Sequence, residues 1–164
     1  MALAAQIQLS ILAHETSSGD ISRTLRATPA NYALTLTNGT GANQAQVVWS
    51  DSGTVSDTQE NELILDAATD DRGAVAFSSL KLIYFKNTGP VALRLFPNAD
   101  WTGSSPIDGG GWLEVPAGGV FLITDSADLG WSVGSGAGLV VQNASNQNQQ
   151  GAYDIVLIGE GTVT

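Results

Sequence analysis

The chain has 164 residues, no Cys, and 16 acidic against 6 basic side chains, which gives a formal net charge of −10 at pH 7. Such a charge argues against binding to nucleic acid or to anionic lipid, because both attract Lys and Arg and repel carboxylates. The lack of Cys excludes disulfides, thiolate zinc sites and a Cys nucleophile. A composition of 43% hydrophobic and 13% charged residues is typical of a globular domain, alone or with an arm.

No apolar run reaches the roughly 18 residues that a membrane-spanning helix needs. The first seven residues carry no basic side chain, so the pattern does not indicate a signal peptide. We therefore expect a soluble, acidic protein.

Apolar residues recur at every second position from the start of the chain, which predicts β-strands. In the first run, Ile7, Leu9 and Ile11 share one face and alternate with polar residues. Leu34 and Leu36 repeat the alternation, which then stops at the turn signal of residues 38–39. Residues 14–31 between these runs show little alternation, and we expect an irregular segment there.

The middle of the chain contains denser apolar runs at residues 63–65, 80–85 and 91–96. Dense runs are typical of strands that are covered on both faces. The sequence Asn87-Thr88-Gly89-Pro90 predicts a hairpin between the last two of them. Further short strands are predicted at residues 111–115, 119–123, 130–133, 139–142 and 153–158.

These patterns together predict an all-β fold. No window sustains a helical period, and the 19 Gly residues weaken any helix in which they would lie. Two antiparallel layers bury alternating faces and leave few open edges, so we expect an antiparallel β-sandwich that is jelly-roll-like. We divide the chain into an N-terminal strand and irregular arm, residues 1–31, and a β-sandwich domain, residues 32–164.

The sequence contains no pattern that indicates catalysis. His14 is the single His, and no Gly-x-Ser-x-Gly turn accompanies it as a serine hydrolase would require. Gly109-Gly110-Gly111 precedes a predicted strand instead of a helix, so it does not predict a phosphate-binding loop. We expect neither an enzyme nor a bound cofactor or metal.

Acidic clusters occur at Asp66–Gly73 and at Asp125 with Asp128. Their oxygen atoms could bind Ca²⁺, but neither cluster has the spacing of a twelve-residue calcium loop. Asp also favours turns through local hydrogen bonds, which is the interpretation we prefer. A hydrolase with two carboxylates stays open as the weakest alternative.

The four Trp residues differ in their surroundings. Trp49 lies in phase with an apolar strand and is predicted to be in the core, while Trp112 and Trp131 follow Gly and are predicted to be half-buried. Trp101 lies in a predicted loop, where a structural role and a binding role are equally plausible. Aromatic residues on loops are typical of sugar platforms and of protein interfaces. A glycan site there would use the neighbouring polar side chains of Asn98, Asp100 and Asp108.

Several segments resemble a known group of proteins. They are Asn43–Asp51 (NQAQVVWSD), Glu62–Asp66 (ELILD), Phe77, Lys81–Asn87 (KLIYFKN), Val115–Phe121 (VPAGGVF), Gly130-Trp131 and Tyr153–Gly159 (YDIVLIG). Together they resemble small β-sandwich structural proteins of tailed bacteriophages, of the capsid decoration or cement type. The resemblance covers roughly residues 40–160 and leaves the first thirty or so unmatched.

This resemblance implies a virion protein that binds the major capsid protein and stabilises the outside of a phage head by multivalent contacts. It also implies binding to copies of itself, as a homotrimer, without nucleic acid and without a membrane. The alternatives are a phage tail or vertex component and a carbohydrate-binding β-sandwich module.

The candidate interface residues lie mainly in the N-terminal segment. Arg23 and Arg26, with the apolar neighbours Ile21 and Leu25, suit a segment that lies across a neighbouring subunit. We expect that deleting residues 1–30 abolishes capsid occupancy and leaves the sandwich folded. The full set of candidate interface residues is His14, Ile21, Arg23, Leu25, Arg26 and Trp101.

Overall fold

The structure, a computed structural model, describes residues 3–11, 14–17, 23–26, 30–71, 73–102, 104–107, 111–127 and 129–164, with backbone only for 14–17 and 23–26. These residues form strands joined by turns and loops, which confirms the predicted all-β class. Within the described ranges there is no helix long and apolar enough to cross a membrane.

The strands in chain order are β1 (Ala4–Ile11), β2 (His14–Ser17), β3 (Arg23–Arg26), β4 (Ala30–Asn38), β5 (Gln44–Ala45), β6 (Val47–Val55), β7 (Glu60–Ile64), β8 (Ala68–Asp70), β9 (Gly73–Asn87), β10 (Leu93–Pro97), β11 (Leu113–Val115), β12 (Val120–Thr124), β13 (Trp131–Ser132), β14 (Gly138–Gln142) and β15 (Gly151–Val163).

Two antiparallel sheets form the body of the molecule. The larger sheet has the order β12-β9-β15-β6, with β8 and β13 also paired to the long strand β9. The smaller sheet has the order β11-β10-β14-β7. The packing of these sheets confirms the predicted β-sandwich, while the finer jelly-roll arrangement stays a prediction.

The main core lies between the two sheets. Phe85 and Ile155 of the larger sheet and Leu95 and Val141 of the smaller one belong to it, and all four are fully buried. The side chains of β15 alternate between this core and the opposite face of the sheet, where Ile158 is also buried. Because both faces of β15 are covered, its apolar run is nearly continuous, as the dense pattern predicts.

A third, small sheet covers part of the outer face of the larger sheet. Its order is β1-β4-β5, and β1 pairs with β4 from Ala4 opposite Thr37 to Ile11 opposite Ala30. Leu34 and Leu36 of β4 pack on the larger sheet and form a second apolar cluster with Leu82 and Ile158. We call β1 and β4 together the ribbon.

The N-terminal segment is more regular than predicted. His14 to Ser17 pair antiparallel with Arg26 to Arg23, so the described part of the expected irregular arm forms a two-stranded ladder. The chosen boundary between residues 31 and 32 falls inside β4. The first strand therefore belongs to the folded body through its pairing with β4.

The predicted hairpin at residues 87–90 is absent because β9 and β10 lie in different sheets. The segment that joins them crosses between the layers, and the backbone N–H groups of Thr88 and Gly89 donate to the carbonyl of Ala152 instead. Asn87 fixes this crossing from a fully buried position: its Nδ2 donates to the carbonyls of Val91 and Val115, at 2.7 and 2.9 Å.

Candidate interaction surface

The ribbon has one half seated on the body and one half that is exposed. In the seated half, Leu36 is fully buried and Leu34 is 7% exposed. In the distal half, Leu9, Ile11 and Tyr32 are 45%, 55% and 40% exposed, although they continue the same apolar face. The alternation of the sequence thus extends beyond the surface that the larger sheet can cover.

A groove of about 720 Å³ lies between the ribbon and the outer face of the larger sheet. Leu9 lines it from the ribbon, and Tyr84, Val120 and Leu122 line it from the sheet. Val120 begins the edge strand β12 and is 56% exposed. The groove and the distal half of the ribbon are therefore continuous apolar surface, which in soluble proteins marks interaction sites.

The tip of this region is fixed to the body by one polar contact. The Tyr32 hydroxyl lies 2.6 Å from the Thr124 hydroxyl at the end of β12, so the two groups share a hydrogen bond. This contact holds the distal half of β4 beside the groove although little apolar surface supports it there.

The predicted interface residues of the arm fall on the β2–β3 ladder. His14 lies opposite Arg26, and Leu25 lies opposite Glu15. Arg23 closes the ladder opposite Ser17, and Ile21 lies outside the described residues. The ladder thus places the two Arg residues on one strand, three positions apart.

Of the two roles left open for Trp101, the structure supports the structural one, because Trp101 belongs to the main core. It is 6% exposed, and its indole Nε1 donates to the carbonyl of Ser132 at 2.9 Å. Asn98, also a proposed glycan contact, stabilises the turn that precedes Trp101. Its side-chain oxygen accepts hydrogen bonds from the backbone N–H groups of Trp101 and Gly138. Asp108 lies outside the described residues.

The exposed Trp is Trp112, which the sequence predicts to be half-buried. It precedes the edge strand β11 and is 57% exposed. The guanidinium carbon of Arg94 lies 4.8 Å from the centre of its ring, and Arg94 Nε lies 3.6 Å from a Glu114 carboxylate oxygen. Cross-strand pairing of Arg94 with Glu114 places this cluster on the outer face of the smaller sheet.

One Asp of each acidic cluster accepts a backbone hydrogen bond, which is long-range for Asp66 and local for Asp125, while Asp128 lies outside the described residues. Asp66 accepts a hydrogen bond from the Gly136 N–H at 3.0 Å, and Asp125 accepts one from the Ala127 N–H at 2.9 Å. Among the described residues, no group of three or more His, Asp or Glu side chains is placed to hold a metal ion.

Asp57 organises the polar loop of residues 143–150. Its carboxylate accepts hydrogen bonds from the Asn148 N–H at 2.9 Å and the Ser145 hydroxyl at 3.0 Å. Desolvation acts to raise the pKa of Asp57, but these hydrogen bonds and further ones from the backbone of residues 146–147 outweigh it and hold the pKa below its ordinary value.

Tyr153 lies in the main core with its ring 5.5 Å from that of Phe85. Burial raises the pKa of its phenol, the nearby Asp51 carboxylate acts in the same direction, and a hydrogen bond from Asn61 opposes both. The neutral phenol is thus the form that this site favours.

Comparison with known proteins gives no assignment: no family model matches the chain, and no curated protein matches it significantly.

Proposed function

We propose that this chain is a structural protein of a tailed-phage particle, which binds the outside of the capsid and reinforces it without catalysis. The β2–β3 ladder would contact the shell of major capsid protein, and the body would remain above it. The jelly-roll topology belongs to this proposal, and the two four-stranded paths with connections that cross between layers support it.

The segments that carry the resemblance lie on the body of the sandwich. NQAQVVWSD spans β5 and β6, KLIYFKN lies on β9, and YDIVLIG lies on β15. The ribbon and the β2–β3 ladder lie outside the matched region. A shared body with an N-terminal region outside the match is what we expect of a scaffold whose partner contacts differ from one particle to another.

The observation that carries the proposal is the β2–β3 ladder itself. Within the described residues its four-residue strands pair only with each other. A two-stranded hairpin is marginally stable in water, so this ladder gains most from packing on a partner. It also holds Arg23 and Arg26, two of the six basic residues of a chain with net charge −10.

The test is binding to phage heads prepared without this protein. We expect the wild-type chain to sediment with them and the charge-reversal variant Arg26→Glu to lose binding about tenfold or more, since each tenfold corresponds to roughly 1.4 kcal/mol. Lys86→Glu is the matched control, because it makes the same charge change on an exposed residue of β9.

Imaging of intact particles gives the location. Copies arranged over the head surface support the proposal, while copies only on a tail or vertex favour that alternative and overturn the decoration role. Equal binding by wild type and Arg26→Glu would show that the ladder does not contact the shell.

A second candidate function is glycan binding at Trp112. The exposed ring, the Arg94 guanidinium and the Glu114 carboxylate combine an aromatic surface with polar groups, as sugar sites do. Titration with glycans would quench Trp fluorescence in the wild type and not in Trp112→Ala. No saturable quench in the wild type would exclude this function for the glycans used.

A further inference from the structure

The strand β1 presents an open edge. It lies at the end of its sheet, and its only partner within the described residues is β4. Natural proteins protect such edges with charged side chains, Pro or bulges. β1 (AAQIQLSI) contains no charged residue and no Pro, and its register with β4 runs without interruption for eight residues.

The ribbon is also uncharged as a whole. Residues 3–11 and 30–38 contain no Asp, Glu, Lys or Arg, although the whole chain carries a net charge of −10. Two copies of such a chain repel each other at most surfaces. Their approach is least opposed at the ribbon, so the distribution of charge favours a second copy as the occupant of this edge.

We propose that β1 pairs antiparallel with β1 of a second copy, about a two-fold axis at Gln8. This register places Gln8 opposite Gln8, Ile7 opposite Leu9, and Ala5 opposite Ile11. An axis centred on a residue keeps apolar side chains on one face and Gln and Ser on the other. A register shifted by one residue would place apolar side chains opposite polar ones.

The same register places the half of β1 that packs on the body beside the exposed half of β1 in the other copy. In each copy, Ala5 and Ile7 belong to the half that packs on the body, while Leu9 and Ile11 are 45% and 55% exposed. Two-fold pairing places the exposed half of one β1 beside the seated half of the other. The interface is therefore self-complementary, as isologous contacts must be.

The dimer is inferred without the capsid role, but dimerisation would strengthen binding to a capsid. A dimer presents two β2–β3 ladders to a shell, and linked contacts bind more tightly than single ones. Two-fold pairing also differs from the homotrimer that the resemblance implies. The measured mass of the assembly distinguishes the two without any phage component.

The experiment is sedimentation velocity of the full chain over a range of concentrations. We expect the wild type to form a dimer and Gln8→Lys to weaken dimerisation about fivefold or more, because like charges directly opposite on paired strands repel. Gln8 is exposed, so the substitution leaves the fold intact, which the circular dichroism spectrum checks.

Thr35→Lys is the matched control. It adds the same charge to an exposed residue on β4, one strand further from the edge. In the proposed dimer the two copies of the new Lys would be separated by three strand spacings across the sheet and by four residues along it, which is about 20 Å. We expect it to dimerise like the wild type. A wild type that stays monomeric, forms trimers, or responds equally to both substitutions would overturn the proposal.

Discussion

Asp57 shows how a carboxylate can help to order a polar loop. Residues 143–150 are almost entirely polar, and Asn146 and Asn148 adopt positive φ angles of 52° and 53°. Non-Gly residues in this conformation are strained, and hydrogen bonds to Asp57 compensate for it. The ionised form of Asp57 makes these bonds best, which links the loop to pH.

The pKa of Asp57 therefore predicts an acid-dependent contribution to stability. Because its folded pKa lies below the ordinary value, the contribution is complete above about pH 4 to 5 and is lost as the pH falls through the folded pKa. We expect Asp57→Asn to lower Tm at pH 7 and to differ less from wild type as the pH falls below 4. Thermal unfolding at several pH values measures this.

Asp71→Asn is the control, since it removes one carboxylate from an exposed turn. If the Tm difference between wild type and Asp57→Asn were independent of pH, the hydrogen bonds of the ionised carboxylate would not be its cause.

Individual residues were predictable from the sequence only where the strand pattern included them. Trp49 lies in phase with its strand and is 5% exposed, as predicted. Trp101 follows Asn98 in a loop, and its burial depends on a turn that Asn98 closes with long-range hydrogen bonds to Gly136 and Gly138. Partners that are about 40 residues away leave no local signal, so the position of Trp101 could not be predicted.

At the scale of elements, β9 shows why simple alternation fails along a long strand. Its register with β15 skips Lys81 and Ser78, which are two bulges within four residues. As a result Ile83, Leu80 and Phe77 all face the main core although their spacing is three rather than two. Bulges of this kind bend the strand and increase its twist. The sequence pattern of β9 therefore predicted a strand but not which residues it buries.

The bulges also require Gly on the opposite strand. A Cβ atom at Gly159 would lie only 2.0 Å from the backbone carbonyl oxygen of Ser79. We expect Gly159→Ala to destabilise the protein by about 3 kcal/mol, because backbone cannot move aside as a flexible side chain can. Urea unfolding followed by Trp fluorescence measures the change.

Gly134→Ala is the matched control, since nothing lies within 4 Å of its Cβ position. It should leave the free energy of unfolding nearly unchanged. If Gly159→Ala and Gly134→Ala were equally stable, β9 and β15 would be able to move apart at the bulge and accommodate the added methyl group.

For the molecule as a whole, class and layering were predictable because they follow from alternation and from turn residues. The crossing between β9 and β10 was not predictable, since residues 87–90 suit a hairpin as well as a connection between sheets. Which of the two forms depends on the strands that pair with β9 and with β10. The ribbon as a third layer was also missed. Its pattern of Ile7, Leu9 and Ile11 matches that of any strand, and nothing in it indicates that only the seated half is covered.

The distribution of charge gives the last prediction, which concerns the salt dependence of self-association. Each copy carries a net charge of −10, but the proposed contact contains no charged residue. Added salt therefore screens the repulsion between the two negatively charged copies, and the proposed interface has no ion pairs that salt could weaken. We expect the dimer dissociation constant of the wild type to fall several-fold between about 0.02 M and about 0.5 M NaCl, as the screening length shortens from roughly 20 Å to roughly 4 Å. Sedimentation equilibrium at each concentration measures it. Contacts through ion pairs would show the opposite trend, so a dimer that dissociates as salt is added would place the interface on the charged surface rather than on β1.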